Sequence, residues 1–503
     1  MSSDTHDIRI ATLEEDLAAS MRRLRADSGS IDRSRQVVEA ALADGRARYG
    51  INTGFGALAN QRIAASQLPD LQRNILLSHA CGVGEPVPPE ITRLMLQLKI
   101  HALGLGHSGI SRRTFRLLLE LEERDLLPWV PSRGSVGASG DLAPLAHLCL
   151  PLLGRGEFWD AGHRGKVPAA EVLQTAGLEP VELQAKDGLA LINGTQLMSA
   201  YGAFVLKRAL TLQREADVLA AMSLEALQGS AIPFDDRIHV LRPHPGQRRV
   251  AANIRRLLEA SEIMESHRDC GKVQDPYCLR CVPQVHGACR DALAYAITVV
   301  ETEINSVTDN PLVLADGDIV SGGNFHGQPL ALALDFAAIA LAELASISER
   351  RTYLLLEGHD GLPKLLMKDT GVNSGFMIPQ YTAAALVSEN KILCHPASVD
   401  SIPTSLGQED HVSMGSISAL KLLGVMRNVE RVLAVELLTA AQALDFRAPL
   451  RPGQGVERAH QALREQVAHA RQDYEVRGDL DTCTDLLRHG AMAAAADPSG
   501  ELA

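Results

Sequence analysis

The feature that most constrains this chain is the run Gly134-Ser135-Val136-Gly137-Ala138-Ser139-Gly140-Asp141-Leu142-Ala143-Pro144-Leu145-Ala146-His147. Glycine recurs at every third position, and Ser139 is flanked by nothing larger than a methyl group. Such small residues let a backbone fold tightly on itself. A nucleophile elbow reads G-x-S-x-G, but the fifth position here is Asp141. A phosphate loop reads G-x-x-x-x-G-K-[ST], and no lysine follows. A glycine-rich turn into a helix, with Ser139 or Asp141 as its cap, fits the pattern. So does a backbone reaction in which the amide nitrogen of Gly140 attacks the carbonyl carbon of Ala138. Loss of water, including that of the Ser139 hydroxyl, then leaves an exocyclic methylene conjugated to a five-membered ring. The product is a strong electrophile of a kind no ordinary side chain supplies.

The segment Gly137 to Leu145 resembles the Ala-Ser-Gly segment from which the aromatic amino acid and histidine ammonia-lyases make their methylideneimidazolone group. The resemblance runs in separate motifs from about Tyr49 to Met414. It implies a mainly α fold, with a globular N-terminal head followed by a long-helix bundle, as in the ammonia-lyase/fumarase-like superfamily. It also implies a homotetramer with active sites shared between subunits, and no external cofactor.

Composition is compatible with this. A chain of 503 residues has room for a large core, and 46% apolar with 22% charged residues is ordinary for a globular protein. The net charge of -12 and the lack of a basic run argue against nucleic acid and anionic membrane as partners. Met1 to Asp7 has neither a basic nor an apolar signal region. Together with eight cysteines in so long a chain, this suggests reduced thiols and a cytoplasmic setting. The apolar run Leu330 to Ile347 carries Asp335 and Glu343, so it reads as a buried bundle helix rather than a membrane span. Cys270, Cys278, Cys281 and Cys289, with His286 nearby, contain a single C-x-x-C, short of the usual structural zinc pattern; packed thiols and no metal are expected.

Apolar periodicity predicts helices at Leu13 to Leu24, Ile31 to Ala43, Leu68 to Leu77, Glu90 to Leu103 and Ser111 to Leu127, and a hairpin at Phe158 to Val167. A domain boundary is expected between residues 192 and 193. Beyond it, Asn193 to Gly229 is free of proline, with apolar positions at Tyr201, Val205, Ala209, Leu212, Ala216, Leu219 and Met222. That spacing is helical over roughly 50 Å. Val285 to Ser306, Leu330 to Leu356 and His411 to Phe446 read alike, and four such helices imply a bundle and an oligomer. Arg242 to Gly246 and Ala448 to Gly455 read as breaks, Val456 to Leu487 as helical, and Ala491 to Ala503 as a frayed tail.

Five polar clusters stand at or near helix starts: Asn193 to Gln196, Gln274 to Arg280, Gly322 to Gln328, Asn373 to Met377, and Gln408 to His411. Taken singly, each is more often a cap than a site. In one order with the Ala138-Ser139-Gly140 turn, they resemble the family's active-site motifs. Removing ammonia from an amino acid needs one group to activate nitrogen and another to take a weakly acidic carbon-bound proton. The resemblance gives the first task to the electrophile made from Ala138, Ser139 and Gly140, and the second to Tyr49 in the glycine-rich loop Tyr49 to Gly56. A phenol is a weak base at neutral pH, so its surroundings must favour the phenolate. Asn193, Gln274, Tyr277 and Phe325 would surround the electrophile, and Arg280 would hold the substrate carboxylate as a bidentate partner. His79 and Glu409 are polar where the phenylalanine- and tyrosine-specific members differ, which suits an imidazole. The resemblance therefore implies conversion of L-histidine to trans-urocanate and ammonia. Gly407, Cys278 and Lys364 depart from the pattern, though none replaces a residue with a chemical role. A lyase or aminomutase acting on another amino acid, and a non-catalytic helical scaffold, remain alternatives.

Overall fold

A computed structural model describes residues 7–58 and 60–502. The first six residues, which carry most of the segment read for a signal, and Ala503 lie outside the described residues. Helices dominate, and the strands among the described residues form three two-stranded ribbons. The chain divides into two compact units, one of residues 1–204, 297–335 and 396–420, the other of residues 205–296, 336–395 and 421–503. The single boundary expected at 192/193 is thus replaced by several crossings. Four of them fall inside the helices Gln196–Ala226, Val282–Ile304, Gln328–Leu356 and Gly415–Asp445. Helices of 23 to 31 residues outlast any one unit, so contact-dense regions interleave along the chain.

These four long helices are the ones periodicity anticipates. All seven apolar positions singled out between Tyr201 and Met222 are at most 1% exposed. Gln328–Leu356 is long and apolar enough to cross a membrane, but 67% of its apolar window is buried within the protein, as expected of a core helix. Asp335 is buried and accepts a hydrogen bond from the Ser398 N–H at 2.8 Å.

In the first unit the helix Leu13–Ala26 packs on Pro89–Gly104, which in turn packs on Arg112–Glu123. The predicted hairpin forms between Glu157–Trp159 and Lys166–Pro168, with Phe158 opposite Val167. A cluster of Ala138, Val412 and Met414 lies directly at the glycine-rich segment.

In the second unit His286 is buried within a polar network. His286 Nδ1 lies 2.8 Å from Asp217 Oδ1, and Arg290 Nη2 and Asn253 Nδ2 donate to Asp217 Oδ2 at 2.7 and 2.8 Å. Arg351 is fully buried and donates twice to Glu436, from Nε at 2.5 Å and Nη2 at 2.8 Å. Cys270, Cys278, Cys281 and Cys289 are free thiols.

Two expectations are corrected. Ala491–Ala496 is helical rather than frayed: Met492 is buried, and the Ala493 N–H donates to the buried Glu215 carboxylate at 3.0 Å. The helix expected over Val456 to Leu487 breaks between Arg464 and Arg477, because Asp473 turns away to accept the N–H groups of Ser374 and Gly375 at 2.7 and 2.8 Å. The proline-rich stretch at Arg242 to Gly246 holds the expected break, between the helices Asp236–Val240 and Pro245–Leu257, and its second proline stands in the first turn of the latter, where it costs no intrahelical bond.

Candidate active site

The glycine-rich segment folds back on itself. Ala138 and Gly140 pair across a tight turn, and Gly140 also pairs with Gly194 at the start of the Gln196–Ala226 helix. Gly140 has φ +72°, and a Cβ there would lie 2.0 Å from the Gly194 carbonyl oxygen, so only glycine fits. Several bonds hold the turn. The Asp141 N–H donates to the Gly194 carbonyl at 2.7 Å, Ser413 Oγ donates to the Gly137 carbonyl at 3.0 Å, and Ser416 Oγ donates to the Ser135 carbonyl at 2.6 Å.

Asp141 is fully buried. Its Oδ2 accepts the N–H groups of Leu197 and Met198 at 3.0 and 3.1 Å, and Oδ1 accepts from Ser135 Oγ at 3.1 Å. It therefore caps the long helix rather than its own, and ties that helix start to the turn. Burial pushes its carboxyl up to about 7, against the lowering effect of these donors.

Tyr49, His79, Ser139, Asn193 and Glu409 line one cavity of about 450 Å³, with Leu142, Leu189 and Ile192 among its apolar walls. Ser139 Oγ donates to Glu409 Oε1 at 3.2 Å, and Thr404 Oγ1 holds Oε2 at 2.7 Å. The Tyr49 hydroxyl accepts the Gly56 N–H at 3.2 Å, which folds the glycine-rich loop over its own first residue. Burial pulls the His79 imidazole below its ordinary pKa, while the Ile75 carbonyl and the Glu409 carboxylate push the other way. The neutral ring can donate from one nitrogen and accept at the other. Asn193 is 4% exposed, and its Oδ1 is buried without a hydrogen-bond partner among the described residues.

The residues present fit a methylideneimidazolone. The turn brings Ala138 and Gly140 together, Gly140 carries no side chain to oppose closure, and Asn193, whose buried amide oxygen has no hydrogen-bond partner among the described residues, lines the same cavity as Ser139. Phe325 is half-buried in the loop before Gln328–Leu356 and is not among the cavity's lining residues. Gln274, Tyr277 and Arg280 belong to the second unit. There Tyr277 is 69% exposed, and the Arg280 guanidinium stacks 4.5 Å from its ring centre.

Sequence reasoning missed several supporting residues. Thr404, Ser413 and Ser416 are small polar residues in polar loops, with no signal to mark them. Lys99 does carry one. It is a lone lysine in an apolar helix whose neighbours one turn away, Met95, Leu96, Ala102 and Leu103, are all buried.

The sequence matches the aromatic amino acid lyase family over residues 4–465. It is 54% identical to a histidine ammonia-lyase of Myxococcus xanthus, over 92% of this chain and 91% of that one. Its fold superposes on the crystal structure of histidine ammonia-lyase from Trypanosoma cruzi with a TM-score of 0.87 at 44% identity, covering 94% of this chain and 89% of that one. It superposes on tyrosine aminomutase from Streptomyces globisporus with a TM-score of 0.90 at 34% identity, covering 99% and 98%. The chain belongs to the aromatic amino acid lyase family.

Proposed function

We propose that this protein is an ammonia-lyase that converts L-histidine to trans-urocanate and ammonia. The observation that carries the reading is the convergence of Ser139, Glu409, His79, Tyr49 and Asn193 on one cavity. The identity to histidine ammonia-lyases over nine-tenths of the chain supports it.

In this reading the Gly140 nitrogen bonds to the Ala138 carbonyl carbon, and the carbonyl oxygen leaves as water. Ser139 loses its hydroxyl and α-hydrogen as a second water. The resulting methylideneimidazolone supplies an electrophilic carbon that activates the substrate's amino group. Tyr49, which lines the same cavity, takes the β-proton. Glu409 accepts a ring N–H of the substrate imidazole, and the neutral His79 offers a second polar contact. Apolar walls at Leu142, Leu189 and Ile192 strengthen both interactions by excluding water. Asn193 acts from the cavity wall beside the reacting centre.

Gln274, Tyr277, Arg280 and Phe325 complete the site in a homotetramer, the first three across a subunit interface, with the Arg280 guanidinium holding the substrate carboxylate. Its stacking on Tyr277 presets the direction of the fork. Exposed apolar side chains on the long helices, among them Leu332, Phe336 and Ile339, supply surface for that assembly. We place the enzyme in the cytoplasm.

The structural likeness to a tyrosine aminomutase favours a second reading, transfer of the amino group within another amino acid. Incubation with histidine, phenylalanine and tyrosine side by side, with product analysis and intact mass, separates the two. Histidine deamination by a chain lacking two waters supports the proposal. An isomerised β-amino acid as product, or an undehydrated active chain, overturns it.

A further inference from the structure

Lys99 sits on the helix Pro89–Gly104 and is only 2% exposed. Its Nζ donates to the Asn193 carbonyl at 2.6 Å and reaches Gln196 Oε1 at 3.5 Å. Among the described residues it has no carboxylate in ion-pair contact. The charged and titratable groups around it are otherwise engaged or neutral. Asp309 pairs with Lys186 at 2.8 Å, and Asp141 is held by Leu197, Met198 and Ser135. Burial pushes the Cys149 thiol up to about 12, so it carries no charge. A buried ammonium with one strong partner, a neutral carbonyl, is a costly arrangement. Its cost has to be met by something the position does.

The carbonyl it grips belongs to the peptide between Asn193 and Gly194. Gly194 is the residue against which Gly140 is pressed: the two are bridged, the Asp141 N–H donates to the Gly194 carbonyl, and a Cβ on Gly140 would come within 2.8 Å of the Gly194 nitrogen. Asn193 itself lines the cavity. Lys99 thus anchors, from the side away from the substrate, both the wall behind Gly140 and the backbone of Asn193.

We propose that Lys99 is a positioning residue, whose buried ammonium fixes the Asn193–Gly194 peptide as the rigid wall that holds Gly140 in the bend needed for Ala138, Ser139 and Gly140 to cyclise. The inference rests on the electrophile reading given above. A hydrogen bond from a cation is stronger and better directed than one from a neutral donor, which is why a polar neutral residue would serve less well. Burial draws the ammonium down to about 8, with the charges of Asp309 and Asp141 holding it up and that of Lys186 opposing them. The anchor therefore weakens as pH rises through that value.

The test compares the parent, Lys99→Met and Lys99→Arg by intact mass, thermal unfolding and the pH profile of deamination. A parent at its full, undehydrated mass overturns the electrophile reading itself, whatever the variants do. With a parent lacking two waters, Lys99→Met is expected to fold with a melting temperature within a few °C of the parent's, because removing the desolvated ammonium offsets the loss of the donor to the Asn193 carbonyl. It is expected to stay largely undehydrated and to lose at least about tenfold in kcat. Lys99→Arg keeps the charge at all accessible pH, so it is expected to restore dehydration in part and to shift the alkaline limb of the profile upward. A Lys99→Met protein that is fully dehydrated and fully active overturns the proposal. If Lys99→Met does not fold, Lys99→Gln, a neutral donor, takes its place: a folded Lys99→Gln that is fully dehydrated and fully active overturns the proposal, and a folded one that stays largely undehydrated upholds it.

Discussion

Replacing Glu409 with glutamine tests substrate choice more sharply than any other single change. In the structure Oε2 is fixed by Thr404 Oγ1 at 2.7 Å, so Oε1, now taken by Ser139 Oγ at 3.2 Å, is the oxygen left to face the cavity. Glutamine keeps the shape. With its carbonyl oxygen on Thr404, however, it presents an NH₂ to the cavity, and a donor then meets the donor N–H of the imidazole. The loss combines a charge-assisted hydrogen bond with an unsatisfied donor, on the order of 2–4 kcal/mol, or roughly 30- to 1000-fold in kcat/KM for histidine. Removing the carboxylate also removes one influence that raises the His79 pKa, so that ring stays neutral and cannot substitute as a cation. Phenylalanine has no ring N–H and should be processed no worse than before. The assay is the ratio of histidine to phenylalanine turnover in parent and variant, read beside intact mass. The mass matters because Glu409 touches the Ser139 hydroxyl that must be lost. A variant lacking both waters isolates the effect on substrate, whereas an undehydrated one places Glu409 in maturation as well. An unchanged ratio in a dehydrated variant would refute the reasoning and leave Glu409 a brace for Thr404.

Ser139→Ala removes a hydroxyl from a turn held by other atoms, so it is expected to unfold near the parent's temperature but to keep its full mass and lose nearly all deamination. Substantial activity would contradict the covalent role. Gly140→Ala drives a methyl to 2.0 Å from the Gly194 carbonyl at a left-handed φ, and is expected to abolish dehydration and to lower the melting temperature, with strain on the order of 1–3 kcal/mol. A dehydrated, parent-like variant would show that the turn is looser than described. Burial raises the carboxyls of Asp141 and Glu225 to about 7 and of Glu215 to about 8. Each folded-state pKa lies above its unfolded value, so the folded chain binds more protons, and the contribution to stability is lost as pH rises through 7 to 8. His101, drawn down to about 4 by burial, opposes this only below the ordinary histidine range. Thermal scans should therefore show the melting temperature falling by a few °C between about pH 6.5 and 8.5, and a rise over that window would refute the assignment.

What could be read from the sequence follows from the range of the forces involved. The long helices were legible because burying an apolar face leaves a periodic trace, as in Tyr201 to Met222, whichever neighbour covers it. The Gly134 to His147 turn was legible because a backbone pressed against another backbone admits only glycine at Gly140, and such an exclusion is written in the residue itself. The pairing of Ser139 with Glu409 was not legible from spacing, since 270 residues separate them and one hydrogen bond leaves no pattern in either segment. Only the resemblance to a family brought those two residues together in advance. The Ala491–Ala496 helix was misjudged for a related reason: a short alanine run has little of its own to bury, and its order comes from Met492 entering the core and from Glu215, distant in sequence, receiving the Ala493 N–H. Lys99 marks the boundary between the two cases. A charge in the middle of a buried helix face breaks the periodic pattern, and the break is visible in the sequence. Its partner, a backbone carbonyl 94 residues away, is visible only in the fold. An interruption of an otherwise apolar stripe is therefore where a sequence signals that a side chain serves another segment, without saying which.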